Sequence, residues 1–69
     1  MTTDSLTADR LIRIKEVIRQ IGLSRSQIYK MQGEGTFPRS VNLATRSVAW
    51  SEREVQIWVA QRVSSRTVN

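Results

Sequence analysis

A mostly α-helical domain carrying one small β-hairpin is the fold class this sequence predicts. Three observations predict it: two helix-start signatures of the same form, an apolar stripe at helical spacing ahead of the first, and a stretch of period-two alternation between them. The chain has 69 residues, room for one small domain that buries only about 60% of the surface its unfolded chain exposes. Residues 1–10 and 64–69 are polar and read as flexible tails around a folded domain over 11–63. No internal repeat is present.

Leu11-Ile12-Arg13-Ile14 has the apolar, β-branched character of a short strand. From Ile14 the spacing changes, because Ile14, Val17, Ile18 and Ile21 recur at three and four residues, with Lys15, Glu16, Arg19 and Gln20 opposite. Gly22 suits a left-handed cap at the end of that helix. Periodicity alone leaves open a single helix from Thr7 to Ile21. Leu23-Ser24-Arg25-Ser26-Gln27-Ile28 then opens a second helix. Ser24 caps it, Gln27 closes a capping box, and Leu23 staples onto Ile28. The second helix runs through Tyr29, Lys30 and Met31 until Gly33 and Gly35 weaken it. Two helices separated by at most three residues have the form of a helix-turn-helix.

Pro38 cannot continue a helix. Beyond it, Val41-Asn42-Leu43 and Val48-Ala49-Trp50 alternate around the polar link Ala44-Thr45-Arg46-Ser47. This predicts a β-hairpin with Val41, Leu43, Val48 and Trp50 turned inward. Ser51-Glu52-Arg53-Glu54 repeats the helix-start pattern: Ser51 caps, Glu54 completes the box, and Trp50 staples onto Val55. Val55, Trp58, Val59 and Val63 form the apolar stripe of the last helix, whose acidic first turn and Arg62 suit the helix dipole. Strand, helix, turn, helix, hairpin and helix together describe a winged helix-turn-helix.

Composition narrows the chemistry. The absence of cysteine and histidine removes disulfides, zinc fingers, thiol nucleophiles and His-based acid–base catalysis. Asp4 and Asp9 fall in the tail, Glu52 and Glu54 open a helix, and Glu16 and Glu34 sit on separate elements, so no paired carboxylates assemble. Gly33-Glu34-Gly35 lacks the lysine and spacing of a phosphate loop. An enzyme is therefore not expected, nor is a cofactor or metal. The apolar runs fall far short of the ~20 residues that cross a bilayer, and the polar amino terminus with Asp4 is unlike a secretory signal. A cytoplasmic module is expected, without membrane contact.

Eleven Lys and Arg face six Asp and Glu, a net charge of +5, which points to nucleic acid. In a helix-turn-helix the first turn of the second helix meets the major groove. Here that turn carries Ser24, Arg25, Ser26 and Gln27. Arg25 suits a bidentate guanine contact and Gln27 an adenine contact, while Ser24 and Ser26 suit phosphate oxygens at the positive helix end. Gln27 has a competing role in the capping box, so Arg25 and Ser26 rank above it. Tyr29 and Lys30 lie one turn on and within reach of the DNA backbone, Tyr29 either bonding a phosphate or completing the core with its hydroxyl outward. Arg46 at the hairpin tip fits a minor groove. Arg39, just after Pro38, either joins that surface or covers the apolar face of Phe37 or Trp50. Trp50 and Trp58 sit at core positions and are assigned to packing rather than to base stacking.

The segments Leu11–Val17, Gly22–Tyr29, Phe37-Pro38, Arg46–Trp50 and Glu54–Val59 together resemble the AlpA-type phage regulators, over roughly Leu11 to Arg62. That resemblance implies a MerR-like winged helix-turn-helix, in the same broad group as small phage excisionases. It also implies a prophage or integrative element as the setting, with Ser24, Arg25, Ser26, Tyr29 and Lys30 on the recognition helix and Arg46 on the wing. Two departures stand out. The family usually has a basic or helix-forming residue at Gln32-Gly33, which predicts an early helix end here. Its wing often carries glycine near Ala44 and Thr45.

The function expected is sequence-specific binding of double-stranded DNA, with several copies on neighbouring sites, to regulate transcription of element genes, excision, or both. An alternative is an excisionase that bends attachment-site DNA and recruits integrase. A second is an adaptor that grips integrase or RNA polymerase without reading DNA.

Overall fold

The computed structural model describes residues 9–66. The parts of the two expected tails at 1–8 and 67–69 lie outside the described residues, as do the first residues of the single-helix alternative. Leu11–Ile12 forms a two-residue strand, β1, which excludes that alternative. Helix α1 spans Ile14–Ile21 and closes on Gly22, whose φ of 76° lets its N–H reach the Ile18 carbonyl at 2.8 Å. Helix α2 spans Arg25–Glu34. Only Gly22, Leu23 and Ser24 separate the two helices.

The capping box is present as its spacing predicts. The Gln27 N–H donates to Ser24 Oγ at 3.2 Å, and the Ser24 N–H donates to Gln27 Oε1 at 3.3 Å. The early helix end at Gln32-Gly33 is not observed. α2 continues through Gly33 to Glu34 and closes on Gly35 at φ 81°, with the Thr36 N–H on the Met31 carbonyl at 2.9 Å. One interior glycine costs about 1 kcal/mol, less than the packing of Ile28 and Met31 on the core supplies.

The hairpin consists of β2, Val41–Ala44, and β3, Ser47–Ser51. β3 is central, pairing antiparallel with β2 on one side and with β1 on the other through Leu11↔Ser51 and Ile12↔Trp50. Two expected inward positions are corrected. Val41 is 42% exposed and Leu43 47%, whereas Ala49 and Trp50 are both buried. β2 is an edge strand, and its register slips between Asn42 and Ala44, so its alternation does not track a covered face. The central strand is buried on successive residues instead.

Helix α3 spans Glu52–Ser65, two residues beyond the expected end of the folded domain. Val55 is buried and Trp58 and Val59 are half-buried, but Val63 lies half-exposed, outside the packed stripe. The core gathers one residue or more from every segment except β2: Ile12, Val17, Ile28, Phe37, Trp50 and Val55. Each such side chain contributes about 1.5–3 kcal/mol by leaving water. The architecture is a winged helix-turn-helix.

The start of α3 departs from expectation in one respect. Ser51 Oγ accepts from the Glu54 N–H at 3.1 Å, but the Glu54 side chain does not return to the Ser51 N–H, and the box is not formed. Asp9 completes the cap. Its carboxylate accepts from Ser51 Oγ at 2.6 Å and from the Arg53 N–H at 3.0 Å. These two bonds hold the Asp9 pKa below its ordinary value, the Ser51 bond contributing most. The Glu52 N–H also donates to the Arg10 carbonyl at 2.7 Å. A residue 42 positions from Ser51 thus completes the cap, on donors other than the Ser51 N–H that spacing assigned to Glu54.

Candidate nucleic-acid interface

Helix α2 buries Ile28 and turns its other sides to solvent. Ser24, Arg25, Ser26, Gln27, Tyr29 and Lys30 are all exposed on its first two turns. No acidic side chain lies in the first turn, so the positive end of the helix is uncompensated and open to an anion. The Gln27 carboxamide oxygen faces Ser24, 3.3 Å from both its N–H and its Oγ, and is taken up by the cap. Arg25 and Lys30 enter no ion pair among the described residues, and neither do Arg39 and Arg46. The cations that do pair lie elsewhere, Arg19 with Glu16 at 2.6 Å and Arg10 with Glu52 at 3.7 Å.

Tyr29 and Trp50 meet in a T-shaped contact, with ring centroids 5.8 Å apart, and Tyr29 stays exposed. Arg39 lines a shallow cleft with Tyr29, Gln32, Gly33 and Glu34, beside the carboxy-terminal half of α2. Arg46 stands at the hairpin tip with φ 64°. The turn lacks glycine, and Arg46 itself takes the left-handed conformation that a glycine would adopt freely. Three residues, Ser47, Val48 and Ala49, separate it from Trp50, and these four steps along the strand give about 13 Å of reach. The structure therefore groups the expected residues as a cluster on α2, an arginine beside that helix, and an arginine on a projection.

Two residues that fix this arrangement were not singled out in the sequence. Gln32 Oε1 accepts from the Trp50 indole N–H and from the Ser40 N–H, each at 3.1 Å, and so joins α2 to the wing. The same indole N–H also reaches the Pro38 carbonyl at 3.1 Å. Gln20 joins α1 to α3: its amide donates to Glu16 and Glu52 at 2.9 Å each and its carbonyl accepts from Gln56 at 2.7 Å. The Arg19 guanidinium, with Gln20 beside it, lowers the Glu16 pKa to about 2. A polar residue in the last turn of a helix that precedes a tryptophan hairpin was the available signal for Gln32. Nothing local marked Gln20.

Residues 10–63 match the family model described as prophage CP4-57 regulatory protein (AlpA). The chain belongs to the AlpA family. Over 66 residues it is 41% identical to ORF88 of Enterobacteria phage P4, a protein described as uncharacterized, covering 96% of this chain and 75% of that protein. It is 34% identical over 62 residues to the DNA-binding transcriptional activator AlpA of Escherichia coli K12, covering 81% of this chain and 89% of that one. This AlpA-family chain carries its helix-turn-helix and wing inside the matched span, and its last helix runs two residues past the end of it, to Ser65. Among the described residues no group of three or more carboxylates gathers to hold a metal, and no helix is long and apolar enough to cross a membrane.

Proposed function

We propose that this chain is a double-stranded-DNA-binding regulator of a prophage or integrative element, acting in the cytoplasm on element genes. The observation that carries the reading is the acid-free first turn of α2, which presents Ser24, Arg25 and Ser26 to solvent at the positive helix end. The DNA-binding transcriptional activator from Escherichia coli among its relatives supports the same reading. In this reading Arg25 pairs with a guanine edge, and Ser24 and Ser26 hold phosphate oxygens. Tyr29, Lys30 and Arg39 contact the backbone beside the groove, and Gln27 acts mainly through the cap. Arg46 follows the adjacent minor groove.

The test is enrichment of sheared host DNA on the pure protein at near-physiological salt, followed by sequencing. A few strongly enriched sites are expected, lost in Arg25→Ala, which costs about 1–3 kcal/mol at specific sites. Sites at a promoter assign the output to transcription, where RNA polymerase is the next partner. Sites clustered at an attachment sequence assign it to excision with integrase. Uniform, salt-sensitive binding without enrichment overturns the specific-regulator reading.

A further inference from the structure

Helix α3 packs on the domain through the buried Val55 and the half-buried Trp58, and leaves Ile57 50% exposed. Next to Ile57, Trp58 packs edge-on against Phe37 at 4.9 Å and carries the Arg62 guanidinium 4.6 Å from its ring centre. Two shallow depressions run along this side of the helix, both walled by Trp58 and Gln61. Glu54, Ile57, Trp58, Gln61 and Arg62 fall at i, i+3, i+4, i+7 and i+8, which places them on one stripe. The middle of the stripe is uncharged and its ends are oppositely charged. Neither Glu54 nor Arg62 enters an ion pair among the described residues.

We infer that this stripe seats a second copy of the chain, with the two α3 helices packed antiparallel. Glu54 and Arg62 lie four positions either side of Trp58. A two-fold axis through Trp58 therefore sets each Glu54 against the other copy's Arg62, and both pairs form at once. Each pair stands about 6 Å along the helix from the axis. Every copy carries a net charge of +5, so most mutual approaches are repulsive, and this face is where two copies attract. Polyanionic DNA is a poor occupant, because it would meet Glu54 and an uncharged centre.

Five side chains cover far less than the roughly 800 Å² per partner of a standard interface. The contact is therefore weak in free solution and gains strength when two copies sit on neighbouring DNA sites, which raises their effective concentration. That last step rests on the DNA-binding reading, whereas the docking itself does not.

Sedimentation of the full chain in a concentration series up to about 1 mM, the range of a weak contact, tests the pairing. The wild type is expected to dimerise in a concentration-dependent way. Glu54→Arg and Arg62→Glu, each creating a like-charge contact, should each weaken dimerisation by roughly 10-fold. The double variant should regain the wild-type value, because Arg at 54 then faces Glu at 62. Thermal melts check folding, and Glu54→Arg keeps the Arg62–Trp58 contact if Arg62→Glu does not fold. A wild type that stays monomeric leaves the stripe to a different protein and overturns the inference. So do single reversals without effect, or a double variant that remains monomeric. On a duplex carrying two enriched sites, Glu54→Arg should lose cooperativity. Absence of any DNA binding would instead sink the regulator reading while leaving the sedimentation result intact.

Discussion

The indole N–H of Trp50 and the side-chain oxygen of Gln32 stand 3.1 Å apart, linking the central strand of the sheet to the last turn of α2. The Ser40 N–H reaches the same oxygen at 3.1 Å, so one acceptor satisfies donors from the two ends of the hairpin. Gln32→Leu removes that acceptor. The expected destabilisation is about 1–3 kcal/mol, the cost of leaving a part-buried donor unmet, reduced by the bond Trp50 keeps to the Pro38 carbonyl. Gln32→Glu retains an acceptor and should recover most of the loss. Urea unfolding of the three proteins checks the order, and equal midpoints would show that the link contributes nothing.

The cap of α3 offers a second prediction. Ser51 Oγ accepts from the Glu54 N–H and donates to Asp9. Ser51→Ala deletes both bonds and should cost about 1 kcal/mol, within the usual range for N-cap serines. Glu54→Ala should lose no capping bond at this helix start, because the Glu54 side chain makes no return bond to the Ser51 N–H. Thermal melts of the two variants distinguish a cap completed by Asp9 from a reciprocal box.

What was legible in the sequence was local. Ser24 and Gln27 are three residues apart, and their mutual bonds follow from helix geometry once the helix starts there. The Gly22 cap is of the same kind. Asp9 and Ser51 lie 42 positions apart, and Gln32 and Trp50 lie 18 apart, so their pairing depends on topology that no local window contains. The inward assignment of Val41 and Leu43 failed for a related reason. Alternation reveals two faces of a strand but not which face has a partner, and β2 lies at the edge of the sheet. At the interface, the polar first turn of α2 was readable as a surface. The engagement of Gln27 by its own cap was readable only as a competition.

Acid should weaken the fold through carboxylates held in hydrogen bonds. The Glu16 pKa is lowered from 4.5 to about 2, first by Arg19 and then by Gln20. A lowered folded-state value means that the ionised form stabilises the fold. That contribution is complete above about 4.5 and is lost as pH falls toward about 2. Asp9 shifts in the same direction, through Ser51 and then the Arg53 N–H, and adds to the loss. Melting temperature measured from pH 6 down to pH 2 should therefore fall through this window, and Glu16→Gln should flatten the fall. A profile unchanged by that substitution would place the acid sensitivity in other carboxylates.

Arg46 separates stability from binding. It is the one non-glycine residue with positive φ among the described residues, at 64°, a conformation that costs a side-chain-bearing residue about 1–2 kcal/mol. Arg46→Gly removes that cost but adds the backbone entropy of glycine, about 0.5–1 kcal/mol. The net expectation is a gain in stability of about 0.5 kcal/mol, or at least no loss. The same substitution deletes the cation at the wing tip. If Arg46 touches a phosphate, binding should weaken across all sequences, and the slope of log affinity against log salt should shrink by about one. Arg46→Lys should keep the slope without relieving the backbone. Parallel melts and salt titrations of both variants decide the matter: a stabilised Arg46→Gly with an unchanged salt slope would confine Arg46 to the turn and leave DNA contact to α2 and Arg39.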